Sequence, residues 1–417
     1  MLVNGIADES DDYFDHGAAR GFAMVGCLKE QSQVDGEKQE RVLVAMSGGV
    51  DSSVAALLLR DAGYDATGVT MKLFDNEVAG AGGACMVGES TCCSQSDVED
   101  ARQVAFGLGL EHFTFNFTGT FGCEVIDRFC DAYLHGRTPN PCIDCNRYLK
   151  FAALQRRRAQ LGFDYVATGH YARRAFNEST GRFELRRGLD EAKDQSYVLY
   201  HLTQDDLAHM LFPLGELTKP QVRELAEKHS FGNAHKAESQ DICFVPDGDY
   251  ASFIARYMGF GEDAAPDGGD GPAAPAAFEP GDIVDVDGKV LGRHNGLVHY
   301  TIGQRKGIGI AASEPLYVVG KDAAKNVLVV GPRSELGVRE VRAGDVNLIS
   351  VAALDKPLRV TAKTHYRQRA QAGEAVMEGD QLVVRFDDPV ARPAAGQSLV
   401  LYDGDVVVGG GTIEASE

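Results

Sequence analysis

Residues 41–53 read Arg-Val-Leu-Val-Ala-Met-Ser-Gly-Gly-Val-Asp-Ser-Ser. An apolar run ends abruptly at Ser47-Gly48-Gly49, and a second begins at Val54. A buried strand, a glycine turn and a helix start, in that order, turn backbone N–H groups and the positive end of a helix toward an anion. Gly48 and Gly49 permit positive φ and close approach of the backbone, and Ser47, Ser52 and Ser53 add hydroxyl donors. The Gly-Lys-Ser/Thr ending of a nucleoside-triphosphatase P-loop is missing, so the γ-phosphate bond is not the natural one for this loop to break.

Three further stretches carry chemistry. Residues 136–146, Gly-Arg-Thr-Pro-Asn-Pro-Cys-Ile-Asp-Cys-Asn, hold two prolines that fix a turn. The turn delivers Cys142 and Cys145 as Cys-x-x-Cys, a spacing that suits half a zinc site, a redox dithiol, part of an iron–sulfur site, or a nucleophile with its neighbour. Cys243, between Ile242 and Phe244, reads by itself as a buried apolar thiol. Residues 193–197, Lys-Asp-Gln-Ser-Tyr, suit a helix cap or a polar site, and residues 364–369, Thr-His-Tyr-Arg-Gln-Arg, suit a strand end or base stacking with phosphate contact.

These residues need a frame. Strand patterns at 42–46, 66–71, 113–117 and 165–168 alternate with helical ones at 52–62 and at Val98, Ala101, Ala105 and Leu108, with Ser96 as a candidate cap. Alternation of this kind implies an α/β domain with a parallel sheet covered by helices. Ligands bind such sheets at the carboxyl ends of strands. Residues 46–53, Met71 and Gly169-His170 fall at strand ends and are expected to meet in one crevice. Residues 261–282, rich in Gly, Pro, Ala and acids, read as an insertion. Beyond it, β-type runs at 283–286, 298–302, 316–319, 327–330, 382–386, 399–402 and 406–413 predict a small β-rich module and then a β-barrel. The expected division is an acidic extension at 1–40, a catalytic domain at 41–245, a central module at 246–312 and a barrel at 313–417.

At 417 residues the chain is too long for one ordinary domain. It has no apolar run of membrane-spanning length, and the acids near its start fit neither a signal nor a transit peptide, so a cytoplasmic location is expected. Its nine cysteines fit thiol or metal chemistry in a reducing compartment better than a secreted disulfide framework. The net charge of −20 argues against nucleic acid taken alone. Residues 147–187, however, hold ten Lys and Arg against Asp164, Glu178 and Glu184, a local excess of seven positive charges. That segment is a candidate face for a phosphate backbone.

Six stretches together resemble the tRNA-specific 2-thiouridylase family: 45–53, 136–146, 167–173, 193–197, 239–244 and 303–307. The resemblance runs from about Arg41 to Thr412. It implies an ATP pyrophosphatase domain that adenylates the carbon 2 oxygen of a wobble uridine in tRNA, after which a protein persulfide supplies sulfur. The products are 2-thiouridine, AMP and pyrophosphate. Adenylation makes the oxygen a leaving group, and an ionised sulfur is a strong nucleophile. The implied roles follow. Ala45, Met46, Ser47, Gly48, Gly49, Val50, Asp51 and Ser52 bind ATP, Asp51 with Mg²⁺; Met71 and Gly169 line the adenine or ribose site. Cys243 carries the persulfide and Cys145 attacks it, leaving a transient disulfide between them. Asn140, Pro141 and Cys142 meet the target base. His170, Lys193, Asp194, Gln195, Tyr366, Arg367 and Gln397 contact tRNA. Cys142 stands where many members carry Asp, which leaves an alternative in which Cys142, Cys145 and Cys243 ligate an iron–sulfur cluster. A persulfide donor protein is the further implied partner.

Overall fold

A computed structural model describes residues 39–73, 95–236, 242–260 and 274–416. The expectations for most of 1–40, for 261–273 and for 239–241 lie outside the described residues.

The first seven strands are β1 (Arg41–Ala45), β2 (Asp65–Lys72), β3 (His112–Asn116), β4 (Tyr165–Ala167), β5 (Ala172–Asn177), β6 (Arg182–Arg187) and β7 (Met210–Leu211). Five of them form a sheet in the order β3-β2-β1-β4-β7, parallel throughout. Val42, Leu43 and Val44 of β1 are all buried, the unbroken apolar run of a parallel strand covered on both faces. The strand order turns back at β1, because β2 lies on one side and β4 on the other. That reversal opens a crevice at the carboxyl ends of β1 and β4. The Val50–Asp61 and Gln95–Gly107 helices cover one face together with the Lys219–Lys228 helix. The Gln95–Gly107 helix has already begun before Ser96, so that residue is not its cap.

The β5–β6 hairpin was not foreseen, because arginines occupy five of its twelve strand positions and break the apolar alternation. It joins the barrel strand Val406–Ser416 through Arg186 opposite Val406. In the structure, many cations of the basic segment have partners within the chain. Arg174 donates to the carbonyls of Leu207, Ala208 and Met210. Arg182 donates to the Ile349 carbonyl, and Arg173 to that of Arg187 and to Asp405. Arg158 holds the Phe163 carbonyl, Arg186 pairs with Glu184, and Arg147 with Asp345. Most of the excess charge therefore ties elements together, and Arg156 and Arg157 remain exposed.

Strands β8 (Gly281–Val284), β9 (Val290–His294), β10 (Tyr317–Asp322) and β11 (Val327–Gly331) form a separate four-stranded sheet. Since β8 pairs in parallel with β11, the boundary expected at 312/313 falls inside this unit. The strand expected at 298–302 is instead a 3-10 turn, Leu297–His299, which follows Gly296 at φ 117°. Strands β12 (Gly337–Leu348), β13 (Leu358–Lys363), β14 (Gln371–Glu378), β15 (Gln381–Ala391), β16 (Ser398–Asp403) and β17 (Val406–Ser416) close a six-stranded barrel through pairing of β12 with β17. Closure removes the free edges.

Candidate active site

The loop after β1 is built from backbone constraints. Gly48 has φ 74°, and a Cβ there would lie 2.3 Å from the Asp97 carbonyl oxygen, so only glycine fits. Gly49 caps the Val50–Asp61 helix with extended backbone and no side-chain hydrogen bond, which leaves the first-turn N–H groups for an anion. The serine hydroxyls differ from expectation. Ser52 and Ser53 both donate to the Gly49 carbonyl, at 3.0 and 3.1 Å, and Ser52 Oγ accepts from the Ser47 N–H. They stiffen the loop, which leaves main-chain N–H groups and the exposed Ser47 as the donors open to an anion. Ala45, Met46 and Val50 contribute backbone: Met46 and Val50 are buried, and the Met46 carbonyl accepts from Thr70 Oγ1. Gly169, just past β4, crosses the helix start so closely that a Cβ would lie 2.8 Å from the Ser52 nitrogen.

Residues from later in the chain complete this corner. Asn233 donates to the Gly48 carbonyl and to Ser53 Oγ. Lys236 bridges Asp97 and Asp100 and reaches the same carbonyl. Asp51 Oδ1 accepts from the Tyr171 hydroxyl at 2.8 Å and from Lys219 Nζ at 2.6 Å. Sequence reasoning missed Lys219, Asn233 and Lys236. They sit on a helix and turn far from the glycine motif, and only folding brings them beside it.

The thiol segment starts at Asn140, whose side chain accepts from the Cys142 N–H, with Pro141 in the first helical turn. The short helix Pro141–Asp144 runs into a wide π-helix, Cys145–Ala153, that begins on Cys145 itself; such turns are frequent at functional sites. Cys142 is exposed, whereas Cys145 is half-buried. Cys145, Cys243 and Met71 pack against one aromatic cluster that includes Phe121, Phe129 and Phe244. In the chain between Cys142 and Cys145, burial pushes the Asp144 carboxyl up to about 6, against the opposing Arg128 and Arg147. The barrel grips this segment: Gln397 donates to the Thr138 carbonyl at 2.7 Å, and the Thr138 N–H donates to Ala395.

Several residues expected to touch tRNA are committed to internal bonds. His170 is buried, shares a 2.8 Å hydrogen bond with Thr168, and is kept neutral by burial and by Lys150. The Asp194 carboxylate accepts from the Gly188 and Ser196 N–H groups and from Ser196 Oγ. Gln195 Oε1 accepts from the Tyr171 N–H. These three, with Gln397, position their neighbours. Tyr366 stacks at a tilt on Tyr197 and donates to the Asp194 carbonyl; burial raises its phenol, with Cys142 among the nearby charges. Lys193 is half-buried, and Arg367 belongs to the same turn as Tyr366.

Among the described residues, no three His, Cys, Asp or Glu side chains gather as a metal site. The Cys142, Cys145 and Cys243 ligand set is not assembled in this arrangement, and no chemistry is routed through a cluster. Among the described residues no helix is long and apolar enough to cross a membrane.

Fold and site define an α/β enzyme with a pyrophosphate-type glycine loop, a Cys-x-x-Cys segment on a short helix, and two further β modules. The tRNA methyl transferase HUP domain family matches residues 40–247, the tRNA methyl transferase PRC-barrel domain 274–332, and the aminomethyltransferase beta-barrel domain 338–413. The chain is 46% identical over 381 residues to tRNA-specific 2-thiouridylase MnmA 1 of a Thermoanaerobacter species, covering 91% of this chain and 99% of the relative. It is 44% identical to tRNA-specific 2-thiouridylase MnmA of Clostridioides difficile, over 90% of this chain and 99% of that one. It belongs to the tRNA-specific 2-thiouridylase family. Among solved structures, the tRNA thiolase NcsA of Methanococcus maripaludis, with its iron–sulfur cluster, is 17% identical, covering 58% of this chain and 77% of that one at TM-score 0.35.

Proposed function

We propose that this protein is a tRNA uridine 2-sulfurtransferase acting in two stages. ATP lies with its phosphates on the loop from Ala45 to Ser52, and its adenosine against Met71 and Gly169. The target uridine enters beside Asn140, Pro141 and Cys142, and its carbon 2 oxygen takes the AMP group as pyrophosphate departs. The first-turn N–H groups of the Val50–Asp61 helix neutralise charge on the leaving group. Mg²⁺ fits one carboxylate, Asp51, together with phosphate oxygens; it would supply charge neutralisation on the phosphates. A persulfide donor protein loads Cys243. The Cys145 thiolate attacks the Cys243 sulfur, a Cys145–Cys243 disulfide forms, and hydrosulfide is released. Hydrosulfide adds at carbon 2, the C–O bond to AMP breaks, and 2-thiouridine remains. An external dithiol resets the disulfide.

The observation that carries this reading is that Cys145 and Cys243, far apart in sequence, pack against the same aromatic cluster as Met71, at the end of the strand beside β1. The test is thiolation of a tRNA transcript by Cys145→Ser and Cys243→Ser. Each variant is expected to lose 2-thiouridine formation while still making AMP in the presence of tRNA and ATP. Thiolation at the wild-type rate by either variant would refute the relay.

A further inference from the structure

The barrel holds the thiol segment at both ends. Before the cysteines, the Thr138 N–H donates to the Ala395 carbonyl and Gln397 donates to the Thr138 carbonyl. Gly396 between them has φ 91°, and a Cβ on it would lie 3.2 Å from the Thr138 carbonyl carbon. After the cysteines, Arg147 stands two residues beyond Cys145 on the same π-helix, Cys145–Ala153. Its guanidinium forks onto the Asp345 carboxylate of β12: Nη1 meets Oδ2, and Nη2 donates to Oδ1 at 3.1 Å. A fork of this kind fixes the plane and direction of the guanidinium as well as its distance.

Asp345 has an uncommon backbone. Its φ is 48°, in the left-handed region that residues other than Gly, Asn and Asp rarely enter. It falls where the pairing of β12 with β17 slips: Gly344 faces Thr412, and the next paired residue is Asn347, opposite Gly410. Such irregularities re-aim a side chain, here onto Arg147. The two side chains are 31% and 53% exposed, and a pair that open to water adds little to stability. A strained backbone that carries a weakly stabilising but geometrically strict pair points to placement of the helix as its use.

We propose that Asp345 of the barrel is a positioning residue for sulfur transfer: through Arg147 it sets the helix that begins on Cys145, and so the approach of the Cys145 sulfur to Cys243. The assignment rests on the relay reading above. In the step concerned, the Cys145 thiol gives up its proton and its sulfur bonds to Cys243 Sγ. The persulfide S–S bond breaks, and the terminal sulfur leaves with the electron pair and a proton as hydrosulfide. The test uses the full chain, loaded with persulfide from inorganic polysulfide and freed of the excess, in a single turnover with a tRNA transcript and ATP. Formation of 2-thiouridine and of AMP are followed in the same sample. Asp345→Gly removes the carboxylate and suits the left-handed backbone. It is expected to slow thiolation about tenfold or more while AMP formation and the melting temperature stay as in the wild type. Asp345→Asn, which keeps the backbone and one acceptor, is expected to recover part of the rate. Arg147→Gln is expected to match Asp345→Gly, and the double variant to lose no more than either alone, as for one shared interaction. Thiolation by Asp345→Gly at the wild-type rate, with Cys145→Ser inactive, would overturn this assignment and leave the relay standing. Equal losses of AMP and 2-thiouridine would also overturn it, as the mark of a general structural defect. Thiolation by Cys145→Ser at the wild-type rate would overturn the relay and this assignment with it.

Discussion

At the scale of single residues, the loop depends on contacts no side chain can replace. Gly48→Ala puts a Cβ against the Asp97 carbonyl and forces a positive φ on an L-residue, a conformation costing about 1–2 kcal/mol before the clash is counted. It is expected to abolish ATP-dependent AMP formation, read by release of labelled AMP. Asp144 makes a pH-linked prediction. Burial disfavours its anion and raises its folded pKa to about 6, above the ordinary carboxylate value of 3.8. The contribution to stability is therefore fully present below about pH 4 and is lost as pH rises through about 6. Asp144→Asn is expected to raise the melting temperature at pH 8 by more than at pH 5; equal shifts at both values would contradict the assignment. The glycines and the Cys-x-x-Cys pair were legible in the sequence because their chemistry is local. The burial of His170 and the saturation of Asp194 were not, because both depend on which chain segments cover them.

At the scale of elements, the basic segment divides into structural and exposed cations. Arg174 is half-buried and donates to three carbonyls at the end of the Gln204–Ala208 helix and on β7. Arg174→Ala leaves those carbonyls without their charged donor and is expected to cost about 3 kcal/mol of unfolding free energy, measured by urea titration. Arg156→Glu with Arg157→Glu changes exposed charges on the Leu154–Leu161 helix. It is expected to leave stability within about 0.5 kcal/mol and to reduce the salt slope of tRNA binding by about two. A double variant with unaltered tRNA affinity and slope would remove this helix from the RNA face. Strand type was readable where apolar residues dominate, as in β1. It was hidden in β5 and β6, where five arginines stand among twelve strand residues, and in β14, where Gly and Glu interrupt the apolar pattern.

At the scale of the whole molecule, the catalytic domain and barrel share a polar seam. Tyr197 donates to the Ser398 carbonyl, and Tyr200 bonds Ser398 Oγ. Asn347 donates to the carbonyls of Tyr200 and Leu202 at 2.7 and 3.0 Å. Val400, Tyr402 and Val407 of the barrel join the same core cluster as Leu43 and Val166 of the parallel sheet. The two units are expected to melt together in a calorimetric scan. Asn347→Ala, which leaves two buried carbonyls unpaired, is expected to lower that joint transition by about 1–3 kcal/mol in stability. A barrel transition shifting alone would show the seam to be energetically weak.

The sequence by itself determined the phosphate loop, the parallel α/β sheet around it, the thiol pair and the β-rich second half. These are written in short-range pattern: apolar runs, glycine turns and Cys-x-x-Cys spacing each act within about a dozen residues. Only the tertiary structure decided that Lys219, Asn233 and Lys236 close over the loop, that Cys145 and Cys243 share one cluster, and that most of a basic stretch is internal bracing. Those outcomes depend on contacts between segments dozens to hundreds of residues apart, and a charged side chain's role is set by what folds against it.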